Sequence, residues 1–291
     1  MPPRPIRELR ELCRYRTSLV AERSAASNRI QKTLEDANIK LGSVVSDILG
    51  VSSRRILARL AAGDDDVEAL AESVAPQMRK KIPQLREALW GGMREHHRFL
   101  LRQQLGHVER LEREIADLEG EIGRRTESYE PQVRLLEAAP GIDRTAARSL
   151  LAEIGPDMSI FPSDRHLTSW AAICPGNHES AGKRMSGKPR KGNRWLKALL
   201  TQIAWAASRT KNTYWSVKYR RLAARRGKKR AIVALANALL RMIYHLLKTG
   251  SPYRDLGADY YDRLQEQTLT RKLVSRLEAL GHCVSLQPVS A

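Results

Sequence analysis

The chain has 291 residues and carries 51 Lys and Arg against 32 Asp and Glu, a formal charge of +19. Cys13, Cys174 and Cys283 are odd in number and widely spaced, which argues against a disulfide framework or a cysteine zinc site and suits a reducing cytoplasm. The opening Met1-Pro2-Pro3-Arg4-Pro5 lacks the apolar run of a signal peptide, and the most apolar stretch, residues 231–247, is short for a membrane span and holds Arg241 and His245.

Low aromatic content, with Leu, Ala, Arg and Glu abundant, predicts an all-α chain. Residues 6–39 read as a long basic helix, with Ile6, Leu9, Cys13, Ile30 and Leu34 at helical spacing. Residues 41–90 read as shorter helices broken at Gly63-Asp64-Asp65-Asp66, Pro76 and Pro83. From Met93 to about Ser128 the pattern predicts one sustained helix with a coiled-coil stripe: Leu101, Leu105, Val108, Leu111, Ile115, Leu118 and Ile122. That stripe suits either an internal hairpin with the N-terminal helix or an oligomerisation stalk, and the sequence leaves both open. The adjacent His96 and His97 are expected on the surface, and the seven histidines show no metal-ligand spacing.

After Pro131 a helix ends near Ala139, Pro140-Gly141 makes a turn, Asp143 is placed to cap, and a second helix runs through Leu150 and Ile154. This has the look of a helix-hairpin-helix, whose turn amides, with Gly141 at the centre, hold a phosphate without reading bases. A short helix is expected at residues 166–172 and a loop from Cys174 to Asn193. Amphipathic helices follow at residues 193–208 and 214–225. A break at Gly227-Lys228-Lys229-Arg230 precedes an apolar core helix from Ala231, and a last helix passes through Leu273, Leu277 and Leu280. The expected division is a helical, coiled-coil region at 1–130, a DNA-binding domain at 131–262 and a C-terminal helix and tail at 263–291.

The charge is not spread evenly. Residues 183–230 contain 17 Lys or Arg and no Asp or Glu, so the rest of the chain is close to neutral. A local single-sign field attracts a polyanion, and nucleic acid is the commonest. The candidate phosphate contacts are Lys183, Arg184, Lys188, Arg190, Lys191, Arg194, Arg220, Arg221, Arg225, Arg226, Lys228, Lys229 and Arg230. Trp195, Trp205 and Trp215 offer stacking faces, although core packing is the better expectation for Trp195 and Trp205. Ser180, followed by Gly182, Lys183 and Arg184, is a candidate nucleophile whose neighbouring cations would neutralise an attacked phosphodiester. Chemistry alone favours a phosphate-binding loop without a covalent role, and Ser186-Gly187-Lys188 is an equal candidate for such a loop. His178 stands two residues from Ser180. Neither serine string completes a nucleotide-hydrolysis P-loop.

Three runs sharpen this reading: Leu167-Thr168-Ser169-Trp170-Ala171-Ala172-Ile173-Cys174-Pro175-Gly176-Asn177, Glu179-Ser180-Ala181-Gly182-Lys183 and Arg190-Lys191-Gly192-Asn193-Arg194-Trp195-Leu196. With Pro140-Gly141-Ile142, Leu151-Ala152-Glu153-Ile154-Gly155 and Tyr219-Arg220-Arg221-Leu222, they are similar to the C-terminal domain of the insertion sequence 110 transposases, the Piv-like or DEDD family. The resemblance covers essentially the whole chain. It implies a DNA transposase or site-specific recombinase, with Ser180 as the residue that attacks DNA and forms a phosphoserine link. Ala181 stands where many members have Gly. Family members also carry an N-terminal RuvC-like domain with an Asp-Glu-Asp-Asp metal site. Pro2 to Arg10 looks like the junction that follows that domain, so the expectation is a chain without it: no metal ligands or cofactor of its own, Mg²⁺ only with the RuvC-like domain, and incomplete catalysis. The implied partners are DNA, a structured guide RNA in some members, and further copies or a full-length transposase; no membrane is expected, and the implied location is cytoplasmic, at the nucleoid. The alternative is a non-enzymatic DNA or RNA binder that modulates a full-length transposase.

Overall fold

The computed structural model describes residues 2–174, 178–186, 190–264 and 266–286, with the backbone alone at 178, 179, 184–186 and 267–269. The fold is all-α apart from one short hairpin. Helices α1 (Arg4–Asp36), α2 (Leu41–Val44), α3 (Val51–Ala62), α4 (Val67–Glu72), α5 (Ile82–Leu89) and α6 (Glu95–Arg125) precede α7 (Glu130–Glu137), α8 (Arg144–Ile154) and α9 (Asp164–Trp170). The hairpin, β1 (His178–Ser180) and β2 (Lys183–Ser186), comes next. Then follow α10 (Arg194–Arg209), α11 (Tyr214–Arg226), α12 (Lys228–Thr249), α13 (Tyr260–Leu264) and α14 (Glu266–Ala279). The chain forms two compact units, Glu8–Arg125 and Thr126–Ala291, the latter taking in Met1–Arg7.

In the first unit α1 and α6 run antiparallel. As the partner on α1 advances from Glu8 through Arg16, Arg23 and Thr33 to Asp36, the partner on α6 retreats from Arg125 through Glu119, Glu112 and Gln104 to His97. The apolar stripe of α6 faces inward: Leu101, Val108 and Leu111 are buried in one core with Leu19, Ala26, Ile30 and Leu34 of α1. The stripe therefore serves the internal hairpin. Leu105, Ile115 and Leu118 pack on the same core, half-buried. Asp66 caps α4 by accepting the amides of Glu68 and Ala69, so the acidic loop has a local structural task.

One expectation for this unit is overturned. His97 is buried, because it closes the far end of the α1–α6 pair: one ring nitrogen lies 2.8 Å from Asp36 Oδ2, and the Arg94 amide donates to the other at 3.2 Å. His96, one position before it, is exposed.

The second unit is built on α12, whose residues Ile232, Leu235, Leu239, Leu240 and Ile243 meet Leu150 and Leu151 of α8, Leu167 of α9 and Leu196, Leu200 and Ile203 of α10 in one core. By length and composition α12 could cross a membrane, but its apolar face is the inner face of this core. The expected break is shorter than the sequence suggested. Gly227 alone separates α11 from α12, and Lys228, Lys229 and Arg230 form the first turn of α12. Trp205 is half-buried and packs on this core, as expected; Trp195 is half-buried beside it, because α10 turns only its Leu196, Leu200, Ile203 and Ala207 face fully inward, and Trp215 is buried.

Candidate nucleic-acid interface and serine hairpin

The segment expected as a loop contains the hairpin. Ser180 pairs with Lys183 across the two-residue turn Ala181-Gly182, and Glu179 pairs with Arg184. Both turn residues have positive φ, +49° at Ala181 and +73° at Gly182. Positive φ at both central positions defines the type I′ turn, whose twist matches that of the flanking strands. A non-glycine residue is strained there, so the Ala181 departure from the family pattern falls on a position where glycine is the unstrained choice. Directly opposed residues of an antiparallel pair project from the same face, with Cβ atoms roughly 4.5–5.5 Å apart. The hydroxyl of Ser180 and the ammonium of Lys183 thus share one face of the tip, and both residues are exposed.

Both ends of the segment are fastened to the core. At its start the Cys174 thiol donates to Thr168 Oγ1 at 3.2 Å, and Asn237 of α12 reaches the same sulfur. At its end Asn193 caps α10 by accepting the amides of Trp195 and Leu196, while its Nδ2 donates to Glu153 of α8, a buried carboxylate. Gly192 lies so close to α9 that a Cβ there would stand 2.5 Å from that of Ala172. Glu153 and Asn193 were not among the sequence candidates, although a Glu on an otherwise apolar helix face was the available signal.

The candidate cations fall in three places. Lys183 sits on the hairpin; Arg190, Lys191 and Arg194 follow it, with Arg190 and Lys191 exposed, Arg190 Nη2 donating to Ser169 Oγ at 3.2 Å and Arg194 lying 5.0 Å over the Trp195 ring. Arg220 and Arg221 lie on α11, Arg221 stacked 4.6 Å over Tyr261. Arg225 and Arg226 end α11, and Lys228, Lys229 and Arg230 begin α12, all exposed. Cations at a helix C-terminus complement its dipole, but three cations in the first turn of α12 oppose it. A phosphate at that turn would reverse the penalty. Lys188 and the side chains of Arg184 and Ser186 lie outside the described residues.

Gly141 has a packing reason of its own. At φ +87° its Cα abuts α10, and an added Cβ would stand 2.6 Å from the Ile203 carbonyl oxygen and 2.7 Å from the Ala207 amide. The turn it makes is the expected one, with Asp143 accepting the Ala146 amide at 2.7 Å.

On α11, Lys218 is half-buried against Tyr214 and Trp215, and burial lowers its pKa. The segment after α12 covers this region: Asp255 accepts the Tyr214 amide and the Tyr253 hydroxyl, and Tyr253 in turn accepts from the Trp215 indole at 2.9 Å. Burial raises the Asp255 carboxyl, but those donors and the Gly257 amide prevail and hold it below the usual carboxylate range.

Residues 133–220, which span α7 to α11, match the family described as transposase IS116/IS110/IS902. The segment that holds the serine hairpin is therefore similar to a transposase domain. Two curated transposases resemble the chain: y4pF/y4sB of Sinorhizobium fredii, 28% identical over 199 residues, and that of insertion sequence element IS1111A of Coxiella burnetii, 33% identical over 144 residues. These matches cover 67% and 48% of this chain but only 48% and 39% of the two relatives. In this region the chain is thus similar to transposases of the insertion sequence 110 family.

Proposed function

We propose that this chain binds DNA through its basic unit and supplies Ser180 as the nucleophile of strand exchange for an insertion sequence. The observation that carries this reading is the tip of the hairpin: an exposed serine with Lys183 on the same face, at the start of a 48-residue stretch without a single carboxylate. In the reaction the Ser180 oxygen bonds to phosphorus, one sugar oxygen leaves as a hydroxyl, and the serine proton passes to solvent or a base. Lys183 offsets the charge that builds on the phosphoryl oxygens. The cations at the α11–α12 junction hold the flanking backbone without reading sequence. Further copies, a guide RNA and a cytoplasmic, nucleoid-bound location follow from the family and belong to the same proposal.

Magnesium, which the family implies, finds no suitable set here among the described residues. The one grouping of possible ligands is Asp36, His96 and His97. Magnesium prefers oxygen ligands, and the buried His97 already has a hydrogen-bond partner at each ring nitrogen.

The test joins the chain to a RuvC-like domain and supplies donor-end DNA with Mg²⁺, followed by a denaturing gel. A DNA-shifted protein band is expected. Ser180→Ala should abolish it while leaving affinity nearly intact, and Ser186→Ala should be much milder. An adduct that survives Ser180→Ala would place the nucleophile elsewhere, and DNA binding with no adduct from any arrangement would favour the non-enzymatic alternative.

A further inference from the structure

Trp170 is the last residue of α9, and 48% of its surface is exposed. A large indole left in water needs a reason, and its surroundings give one. Phe161, itself packed on the core, lies 5.5 Å from the indole at an interplanar angle of 60°, so it props the ring from one side. The helix beneath is fixed: Leu167 and Thr168 are buried, and Arg241 of α12 donates to Asp164 at 2.6 Å. Burial pushes the Asp164 carboxyl up, yet Arg241 overrides this and keeps it below the ordinary range, so the anchor stays ionised. Arg165, His166 and Ser169 are exposed on α9 with Trp170; His166 is four residues from Trp170, and Arg165 four from Ser169, the spacing that shares a helix surface. Ser169 is also where Arg190, four residues past the hairpin, docks.

A propped aromatic face, with Arg190 docked on the adjacent Ser169 and Arg165 exposed on the same short helix, is the pairing of features that binds an unstacked base and its phosphates. A paired base inside a duplex hides both faces, so only an unpaired one fits. We propose that Trp170 is a stacking platform for an unpaired nucleobase of the DNA strand being processed, with Arg165 and Arg190 on the flanking phosphates. This rests on the DNA-binding reading above and adds to it a contact with a base rather than with the backbone.

The experiment measures binding of the full chain to a plain duplex and to the same duplex with one unpaired 2-aminopurine, whose fluorescence is quenched on stacking. Wild type is expected to bind the unpaired probe more tightly and to quench it. Trp170→Ala should lose that preference, roughly 5- to 150-fold, and the quenching, with duplex affinity and melting temperature nearly unchanged. Trp170→Phe should keep most of both, which guards against an Ala variant that folds poorly. Equal loss on both probes, or no loss and undiminished quenching, would overturn the platform while leaving duplex binding intact. Failure of wild type to bind either probe would instead sink the DNA reading on which the platform rests.

Discussion

Both units are rich in arginine, but they use it differently. The Glu8–Arg125 unit holds 21 basic and 19 acidic residues, and the remainder of the chain holds 30 and 13. In the first, cations are matched within the unit: Arg23 and Arg54 share Glu112 at 2.8 and 2.6 Å, Arg98 meets Asp65 at 2.7 Å, and Arg125 meets Glu8 at 2.8 Å. In the second, residues 183–230 have no carboxylate among them, and Arg194 and Arg221 lie over aromatic rings. Exposed ion pairs contribute little to stability. What the matching does is cancel the field, and the unit with the excess of cations, outside its own pairs such as Arg241–Asp164, keeps a field that attracts a polyanion. Arginine content alone says nothing about a partner; the placement of the carboxylates does.

The strongest way to break this comparison is Val108→Asp. Val108 is fully buried, and an unpaired charge there should cost several kcal/mol. Hydrogen exchange should show α1 and α6 losing protection while residues 126–264 keep theirs and DNA binding persists. A folded monomer released from an oligomer, with α1 still protected, would mean that the stripe joins molecules. The next largest effect concerns the cations. Replacing Arg225, Arg226, Lys228, Lys229 and Arg230 by Ala should flatten the log–log salt dependence of duplex binding by up to about 0.9 for each phosphate no longer neutralised. Replacing Arg16 and Arg23 in the matched unit should leave that slope alone, and a change there would erase the distinction.

Two smaller tests sharpen it within the basic unit. Asp255 is one of its few carboxylates and holds the N-terminus of α11. Its pKa is depressed in the folded state, so its contribution is full above the ordinary carboxylate range and is lost as pH falls through the depressed value. Exchange of the Tyr214 amide should therefore accelerate only in acid, below about pH 4, and Asp255→Asn should remove that dependence. The stability involved is below about 1 kcal/mol, since Asp255 is exposed and screened. Ala181→Gly should stabilise the hairpin by a few tenths of a kcal/mol, the relief of left-handed strain less the added freedom of the unfolded chain. Slower exchange of the Ser180 and Lys183 amides would register it; faster exchange would mean that the type I′ geometry is wrong.

The long helices were legible because a stripe such as Leu101, Val108 and Leu111 repeats at helical spacing, and the basic segment because charge needs no fold to be counted. Asp143 and Asp66 were legible as caps or helix starts from their position alone. The hairpin was not: alanine in a left-handed turn conformation breaks the glycine signal that marks such turns. Nor could spacing show that His97 closes a helix pair while His96 faces water, or that Trp215 is buried while Trp195 is not, since burial there depends on what packs opposite. Glu153 and Trp170 were quoted only as parts of family motifs. The first is a carboxylate whose role appears when Asn193, 40 residues on, comes beside it; the second is an apolar residue whose meaning lies in being left uncovered.

The antiparallel α1–α6 pair has a consequence for length. Because the partner on one arm retreats as the other advances, residues 8 and 125 meet, and the chain leaves the pair where it entered. Removing or adding the same number of whole helical turns on each arm would change the reach of this unit without altering the spacing of the two ends. Variation in length is therefore available here as in a telescoping rod, provided both arms change together.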